Sequence, residues 1–420
     1  MSTNWSQKIE RRFAVTLPAD LRAWIDQRPW RDGGGAEFCV PLEPAQLLEP
    51  EPGRIWAGFM LPDTIPLLGN GYGDWLCMRF AADGKLAEII RWTHGGGDWI
   101  PYGQSVAESL VFDFATYYTP VRHTIYEKPN RPLEQLQRFA QWAATWLSVD
   151  LEPLWTLHLV HDHQQALEHL ARLPIAESAV RHDRVLQWLA SPLKEKSDVR
   201  LAQALGVAWE PDFICWLFDT QQIPAEWRER LMEHFGCPAD ELFCQYWDQA
   251  ERDALAVTEQ RQDLGWAFDI SGWAAERRGA YDEAVARYLG GVQTSLFSDE
   301  SVAFRTHWYD EAFGKFAAAR LAALKSHLST TQRNDPYLNL LWERDAATLR
   351  QRVREYWLTK ARTSPDPRAA YRCYYRAGWD LGASDASAYH EIFAGLIASA
   401  KAAGARALAM IAELHRQFLD

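Results

Sequence analysis

A histidine and an aspartate flank a glycine run and are the first candidates for acid–base chemistry. His94 and Asp98 stand on either side of three consecutive glycines at positions 95–97, and such a pair could act from a glycine loop. No nucleophile with an activating partner accompanies them. We therefore predict a protein that is not an enzyme and has no catalytic residue.

The densest histidine cluster comprises His158, His161, Asp162, His163 and His169. The spacing of its first three members is i, i+3 and i+4, which could present metal ligands from one helical face. The cluster contains no H-E-x-x-H sequence, and no cysteine or second carboxylate stands at a matching spacing. A solvated helix face is the favoured interpretation, and no metal site is predicted.

A glycine-rich run, Gly69-Asn70-Gly71-Tyr72-Gly73, superficially suggests a phosphate cradle. Such loops lead into a helix N-terminus, where backbone N–H groups and the helix dipole meet the anion. Here a strand pattern follows instead. The run therefore predicts a tight turn or bulge, and no cofactor is expected.

Aromatic and charged side chains collect at the predicted strand ends and glycine loops, and this mixture dominates binding hot spots. The predicted partner-binding residues are Tyr72, Asp74, Arg91, Trp92, His94, Asp98 and Trp99. The alternative is that the tryptophans belong to the core and that the charges are simply solvated.

The elements that must position these residues lie within residues 65–114. Residues 74–80 alternate as a strand with apolar side chains on both faces, which indicates a strand covered on each side. Asp83-Gly84 predicts a hairpin turn into a returning strand at 86–92. A helix is expected over residues 105–112, with a capping box at its start.

The preceding residues complete a small domain. Short helices are predicted at 5–13 and 18–28, and strands at 36–42 and 54–60. With the two later strands they form a small, mainly antiparallel sheet with flanking helices. We thus predict an α+β domain over residues 1–125.

Three pieces of this region, in order, resemble a known family. Residues 17–25 read LPADLRAWI, residues 65–77 contain Ile-Pro and then G-x-G-D-x-L-C, and residues 90–99 read I-x-W-x-H with a later tryptophan. Together with the helix that follows they are similar to the SUKH superfamily. Its members include a fungal cell-wall-synthesis regulator and many bacterial immunity proteins. The resemblance covers residues 5–125 at most.

The chain departs from the family pattern at two places. Met78-Arg79 stands where the family usually has an acidic residue, and residues 30–35 replace an Asn-Gly turn. Both places are expected to face the surface. The departures therefore bear on the identity of the partner more than on the fold.

The resemblance implies a protein-binding role. Its commonest bacterial form is an immunity protein that covers the active site of a cognate toxin, often a nuclease, and His94 at a strand end would make a structural or partner hydrogen bond. The net charge of −12 would speed the encounter with a basic nuclease. The alternative is a scaffold or regulator, in which later helices bind a peptide or signalling partner and the first domain is a docking module.

Strand patterns end at residues 116–132, where prolines predict a domain boundary. Residues 133–420 show amphipathic helical spacing between short breaks with proline or glycine, which favours an α-solenoid. Residues 263–294 look like one tetratricopeptide unit. Such units need stacked neighbours, so the flanking helices are expected to serve as degenerate copies.

The tetratricopeptide-like unit assigns a role to several small and aromatic residues. Gly272 and Ala284 would let two antiparallel helices approach, and Gly279 would turn the chain between them. Tyr281 and Tyr288 would fill the groove between the helices.

Composition argues against several classes of function. The 420 residues carry a net charge of −12, whereas nonspecific binding to nucleic acid or to an anionic membrane needs a basic field. The six cysteines form no C-x-x-C pair, and no apolar run approaches the length of a membrane span. No signal peptide begins the sequence, so we expect a cytoplasmic protein. The resemblance implies that it is bacterial and has a protein partner.

Overall fold

The structure is a computed structural model. It describes residues 4–32, 36–49, 54–94, 97–118, 133–147, 168, 177–189, 202–203, 205–208, 223–236, 246–295, 314–382 and 386–419. The histidine cluster at 158–163 and 169 lies outside these residues. The chain forms two compact units: a first unit of Met1–Pro120, Thr124–Val180 and Arg350–Asp420, and a second unit of Val121–His123 and Arg181–Leu349.

A five-stranded antiparallel sheet is the centre of the first unit. Its strands are β1 (Val40–Pro41), β2 (Thr64–Gly69), β3 (Trp75–Phe80), β4 (Leu86–Trp92) and β5 (Trp99–Gly103), and neighbours in the sheet follow chain order. This architecture confirms the prediction of a small antiparallel sheet followed by helices.

Helices make up most of the rest of the described chain. Before the strands in the chain lie α1 (Trp5–Phe13) and α2 (Ala19–Gln27), between β1 and β2 lies α3 (Pro44–Leu48), and after the strands lie α4 (Val106–Tyr118) and α5 (Leu133–Ala144). Further on are α6 (Glu177–Trp188), α7 (Ala225–Phe235), α8 (Trp247–Gln260), α9 (Gly265–Arg277), α10 (Tyr281–Val292), α11 (Phe316–Ala323), α12 (Thr330–Arg333) and α13 (Pro336–Leu340). The last are α14 (Ala346–Thr363), α15 (Pro367–Trp379), α16 (Ala386–Ala402) and α17 (Arg406–Arg416).

Strand β3 is buried on both faces, as its sequence predicted. Leu76 and Met78 point to the face that also carries Arg91, and Trp75 and Cys77 point to the other face, where Trp92 lies opposite Trp75. The expectation that Met78 faces the surface is wrong, because this side chain has no exposed area. Because Met78 is buried, it cannot contact a partner and does not bear on which partner is bound.

The prediction of a strand at 54–60 is wrong. Ala57 and Met60 form only an isolated bridge, and Gly58 between them has a φ of +87°. The backbone N–H groups of Phe59 and Met60 both donate to the carbonyl oxygen of Trp56. The segment is therefore a compact turn, because a positive φ at its centre interrupts the extended conformation that the alternating pattern suggested.

The last helices pack on the sheet of the first unit. The Nε2 atom of His415 in α17 lies 2.8 Å from the carbonyl oxygen of Thr64 in β2, and the ring of Tyr389 in α16 lies against Gly58. Contacts therefore group residues 350–420 with the sheet, whereas the sequence placed 133–420 in one helical array. A pairing between residues 351 positions apart leaves no trace in a local pattern.

In the second unit, α9 and α10 form an antiparallel hairpin at the predicted tetratricopeptide-like segment. Gly279 turns the chain with a φ of +76°, and a Cβ at Gly272 would clash with the ring of Tyr288. The Tyr288 hydroxyl donates to Glu276 at 2.8 Å. The prediction that Tyr281 fills the groove between the two helices is wrong, because this residue is 41% exposed.

Candidate functional site

The ends of the five strands form a row at one end of the sheet. The register pairs Val40 with Gly69, Gly69 with Trp75, Trp75 with Trp92, and Trp92 with Trp99. The loop at 70–74 and the described residues of the next loop, 93–94 and 97–98, therefore lie side by side at this end of the sheet. This register brings together residues that are about sixty positions apart in the chain.

The loop between β2 and β3 is held by one amide side chain. Asn70 Oδ1 accepts hydrogen bonds from the backbone N–H of Tyr72 at 2.8 Å and of Asp74 at 3.1 Å. Gly71 and Gly73 have φ values of +83° and +113°, which other residues rarely adopt. The glycine run is thus a side-chain-stabilised turn between two strands, as predicted from the strand that follows it.

Asp74 is the centre of a polar network at the strand ends. Its Oδ1 atom accepts a hydrogen bond from the backbone N–H of His94 at 3.1 Å and lies 2.8 Å from His94 Nδ1. Its Oδ2 atom accepts from Asn70 Nδ2 at 3.2 Å and from Arg91 Nη2 at 3.4 Å. Because an ionised carboxylate only accepts, His94 Nδ1 must carry the proton, which leaves Nε2 as the nitrogen for a further contact.

Arg91 connects this network to the segment before β1. Its Nη2 atom lies 3.1 Å from Glu37 Oε1, and its guanidinium lies over the ring of Phe38. Burial alone would lower the pKa of Arg91, but the charges of Glu37 and Asp74 raise it above the ordinary value. The cation is therefore permanent and fixes the positions of both carboxylates.

A buried aspartate in α4, missed at the sequence level, holds the segment that carries Glu37. The carboxylate of Asp113 accepts from the backbone N–H groups of Ala36 at 3.0 Å, of Glu37 at 3.2 Å and of Phe38 at 3.3 Å. Burial, followed by the nearby charge of Glu37, raises the pKa of Asp113 to about 7. A signal was present, since Asp113 interrupts the apolar run Leu-Val-Phe-Asp-Phe-Ala at 110–115.

Four of the predicted partner-binding residues lie beneath the surface: Asp74, whose contacts are given above, and Trp92, Asp98 and Trp99. Trp92 has no exposed area, and its Nε1 donates to the carbonyl oxygen of Phe59 at 3.1 Å. Trp99 is buried under the guanidinium of Arg79, 4.7 Å from the ring centre. Asp98 is buried too, and its backbone oxygen accepts from Thr93 N at 2.8 Å. These side chains position the loops.

Exposed apolar side chains gather around the same strand ends. Tyr72 is 65% exposed, Trp56 is 41% exposed and Phe59 is 39% exposed. The ring of Trp56 lies 6.5 Å from that of His94, and Val40, also exposed, borders the loop at Gly71. We name Val40, Trp56, Phe59, Tyr72 and His94 the strand-end surface.

Trp56 and Phe59 were missed as surface residues because the sequence predicted a strand at 54–60. The turn at Gly58 exposes them instead. Of the seven large hydrophobic side chains that are exposed in the described residues, four belong to the strand-end surface. Scattered exposed apolar residues are ordinary, but a concentration of them marks an interaction site.

The described residues contain neither a cluster of metal-ligand side chains nor a helix suited to crossing a membrane. Among them, no group of three or more His, Cys, Asp or Glu side chains is arranged to hold a metal ion. Within the same part of the chain, no helix combines the length and apolar character that crossing a membrane requires.

Comparison with known proteins gives no match for this chain: no protein-family model, no curated protein and no solved structure corresponds to it.

Proposed function

We propose that this protein binds another protein through the strand-end surface. The observation that carries the proposal is the cluster of exposed aromatic side chains, Trp56, Phe59 and Tyr72, beside a fixed histidine. Tyrosine and tryptophan are the residues most enriched in binding hot spots, because they bury a large area and also offer a polar atom.

The polar network beneath the surface supports the same interpretation. Asp74 binds both the backbone and the ring of His94, and Arg91 ties Asp74 to Glu37. A partner would therefore meet side chains that are already ordered, which lowers the entropy that binding has to offset. Rigid support of this kind suits recognition by preformed contacts.

A more specific form of the proposal is that the protein neutralises a toxin domain as an immunity protein. It is supported by the resemblance of residues 5–125 to the SUKH superfamily and by the net charge of −12. A basic nuclease would be attracted to an acidic surface at long range. In this form, Trp56, Tyr72 and their neighbours cover the active site of the toxin domain.

A second candidate is a scaffold or regulator whose second unit binds a peptide. The hairpin of α9 and α10 supports it, since Tyr281 and Tyr246 near this region are exposed aromatic side chains. In that case the strand-end surface would be a docking module. The two candidates place the binding energy in different units.

Full-length variants separate the two candidates. Expression of residues 1–130 alone would remove the helices that cover the sheet, so the intact chain is the right material. A photo-crosslinking residue at position 72 should capture one protein from the source cells, and the same residue at position 281 should not. With that protein purified, Trp56→Ala and Tyr72→Ala should each weaken binding by about 2 kcal/mol, some thirtyfold in Kd.

Tyr281→Ala is the matched control, because it removes an equally exposed aromatic ring from the second unit. Unchanged affinity in the control supports the strand-end surface. Loss of affinity in Tyr281→Ala with none in Trp56→Ala would transfer the binding site to the second unit. For the immunity form, co-expression with the captured protein should restore growth with the wild-type chain and fail with Trp56→Ala.

A further inference from the structure

The helices α14 and α15 carry a charge opposite to that of the chain as a whole. Residues 346–379, which form the two helices and the turn between them, contain eight of the 44 Lys and Arg but only two of the 56 Asp and Glu. This segment therefore carries a net charge of +6, and the rest of the chain carries −18. Cations are concentrated here in a protein that is otherwise strongly acidic.

Four cations of these helices are neighbours. Arg368, Arg372 and Arg376 stand at i, i+4 and i+8 of α15, so they follow one another along one face of that helix. Burial raises the pKa of the Cys373 thiol, and nearby cations lower it in part. These cations are Lys360, Arg376 and Arg372, so a lysine of α14 joins the row on α15. We name Lys360, Arg368, Arg372 and Arg376 the basic face.

The two carboxylates of the same segment are engaged away from these cations. Glu355 accepts a hydrogen bond from Arg362 Nη1 at 3.0 Å, and Arg362 also pairs with Glu391 of α16. Asp366 is the N-cap of α15, and its side chain accepts from the backbone N–H of Arg368 at 3.0 Å. Both carboxylates thus serve the helices themselves.

Three members of the basic face are available to a partner. Lys360, Arg368 and Arg372 are exposed, and among the described residues no carboxylate forms an ion pair with their side chains. The fourth member, Arg376, is bonded to the buried Asp380 at 3.1 Å and is fixed in place by it.

The placement of two of these arginines is unfavourable for the protein alone. Arg368 is the second residue of α15, and a cation near a helix N-terminus opposes the helix dipole. Arg368 and Arg372 are also four residues apart, and like charges at this spacing repel each other. Positions that break a local stability preference are expected at functional sites. An anion bound at the basic face would relieve both effects.

The aromatic rings at the basic face distinguish between two classes of anionic partner. Single-stranded nucleic acid is bound on exposed rings, on which its bases stack. Here Trp357 is buried and Arg376 covers its ring, 3.8 Å from the centre, while Lys360 lies over the ring of Tyr356 at 4.4 Å. A long polyanion would also extend over a chain whose other residues carry −18. A short acidic segment of a protein needs neither stacking nor a large basic area.

We propose that the basic face binds an acidic segment of a partner protein, whose Asp and Glu side chains lie along α15 at Arg368 and Arg372 and reach Lys360. Guanidinium groups bind carboxylates bidentately, which favours the two arginines as the main contacts. The basic face shares no residue with the strand-end surface and is therefore a second binding site of the first unit.

Fluorescence anisotropy of a labelled peptide of ten glutamates, titrated with the full-length protein in 0.05 M salt, tests the proposal. We expect saturable binding that weakens as salt is added and that is about tenfold weaker in the double variant Arg368→Gln/Arg372→Gln. The matched control is Arg11→Gln/Arg12→Gln, because these two exposed arginines belong to α1 and their loss changes the net charge equally. Its affinity should equal that of the wild type.

A labelled oligonucleotide of ten thymidines, which carries a similar charge, separates the two classes of partner. It should bind more weakly than the glutamate peptide, because the basic face has no free ring for its bases. Tighter binding of the oligonucleotide would overturn the proposal in favour of nucleic acid. Absence of saturable peptide binding, or an equal loss of affinity in the α1 control, would overturn it as well.

The melting temperature of the ligand-free protein adds a readout that a structural role would move in the other direction. Arg368→Gln should melt at the wild-type temperature or slightly above it, because a cation leaves the N-terminus of α15. A lower melting temperature would show that Arg368 stabilises the fold, and the argument for a partner at this position would fail.

Discussion

Two arginines of the sheet each stand between two carboxylates, and they serve different ends. Arg91 lies between Glu37 and Asp74 at the open strand ends, and Arg79 lies between Asp63 and Glu88 on the opposite face of the sheet. Arg79 is 18% exposed and Arg91 31%. Both carboxylates beside Arg79 are enclosed, with Glu88 5% and Asp63 12% exposed, whereas beside Arg91 Asp74 is 10% exposed but Glu37 is 35% exposed.

Each arginine forms a trio with its two carboxylates, and the two trios differ in what covers them. The Arg79 guanidinium lies over the ring of Trp99, and Tyr371 of α15 is close enough to Asp63 and Arg79 to feel their charges. The Arg91 trio has the strand-end surface around it instead. The same charge pattern thus supports helix packing on one side of the sheet and an accessible surface on the other.

The largest expected effect tests this contrast directly. Arg79→Ala should lower the free energy of unfolding by about 4 kcal/mol, because it leaves two enclosed carboxylates without their cation. Arg91→Ala should lower it by about 1 to 2 kcal/mol, because water can reach Glu37. Urea denaturation of both variants measures the difference, and equal losses would show that the two trios are equally enclosed.

A smaller effect concerns pH on the helix-covered side. His415 is buried, its Nε2 donates to Thr64 O, and burial lowers its pKa from 6.5 to about 4. Because the unfolded state binds the proton more tightly, this stability is present above pH 6.5 and is lost as the pH falls towards 4. The loss should be about 3 kcal/mol.

His415→Gln removes the titration but keeps an N–H donor for Thr64. Unfolding measured at pH 7.5 and pH 4.5 should show a smaller acid loss in this variant than in the wild type. Parallel pH dependence in the two proteins would exclude His415 as the group responsible.

The strand-end side should respond to pH with the opposite sign. The pKa of Asp113 is raised from 3.8 to about 7 in the folded state, so the folded state binds the proton more tightly. Its contribution to stability therefore increases as the pH falls from 7 to 4, by about 2 to 3 kcal/mol between pH 8 and pH 5. Measuring the free energy of unfolding of Asp113→Asn and of the wild type at pH 8 and pH 5 isolates this contribution. The wild type should exceed the variant in stability by more at pH 5 than at pH 8.

Much of the first unit could be predicted from sequence. Alternation on both faces of residues 74–80 indicated a covered strand, Asp83-Gly84 indicated the hairpin, and the glycines at 71 and 73 indicated a turn. These features depend on local steric and solvation preferences, which neighbouring residues determine. The same reasoning failed at 54–60, because a single positive φ at Gly58 overrode the alternating pattern.

The candidate site was predicted in part. Tyr72, Asp74, Arg91 and His94 do come together, because antiparallel register places consecutive strand ends side by side. Trp56 and Asp113 were not predicted. Their contributions depend on a turn and on three backbone hydrogen bonds to residues more than seventy positions away.

The sequence by itself determined strands β3 and β4 with the hairpin between them, the helical character of the later chain and the residues able to form a polar network at the strand ends. Only the tertiary structure decided which tryptophans are buried, that His415 returns to Thr64, and that Lys360 of α14 joins Arg372 and Arg376 of α15. The physical reason is range: backbone preferences act over a few residues, whereas burial and charge pairing depend on which distant segment supplies the covering atoms.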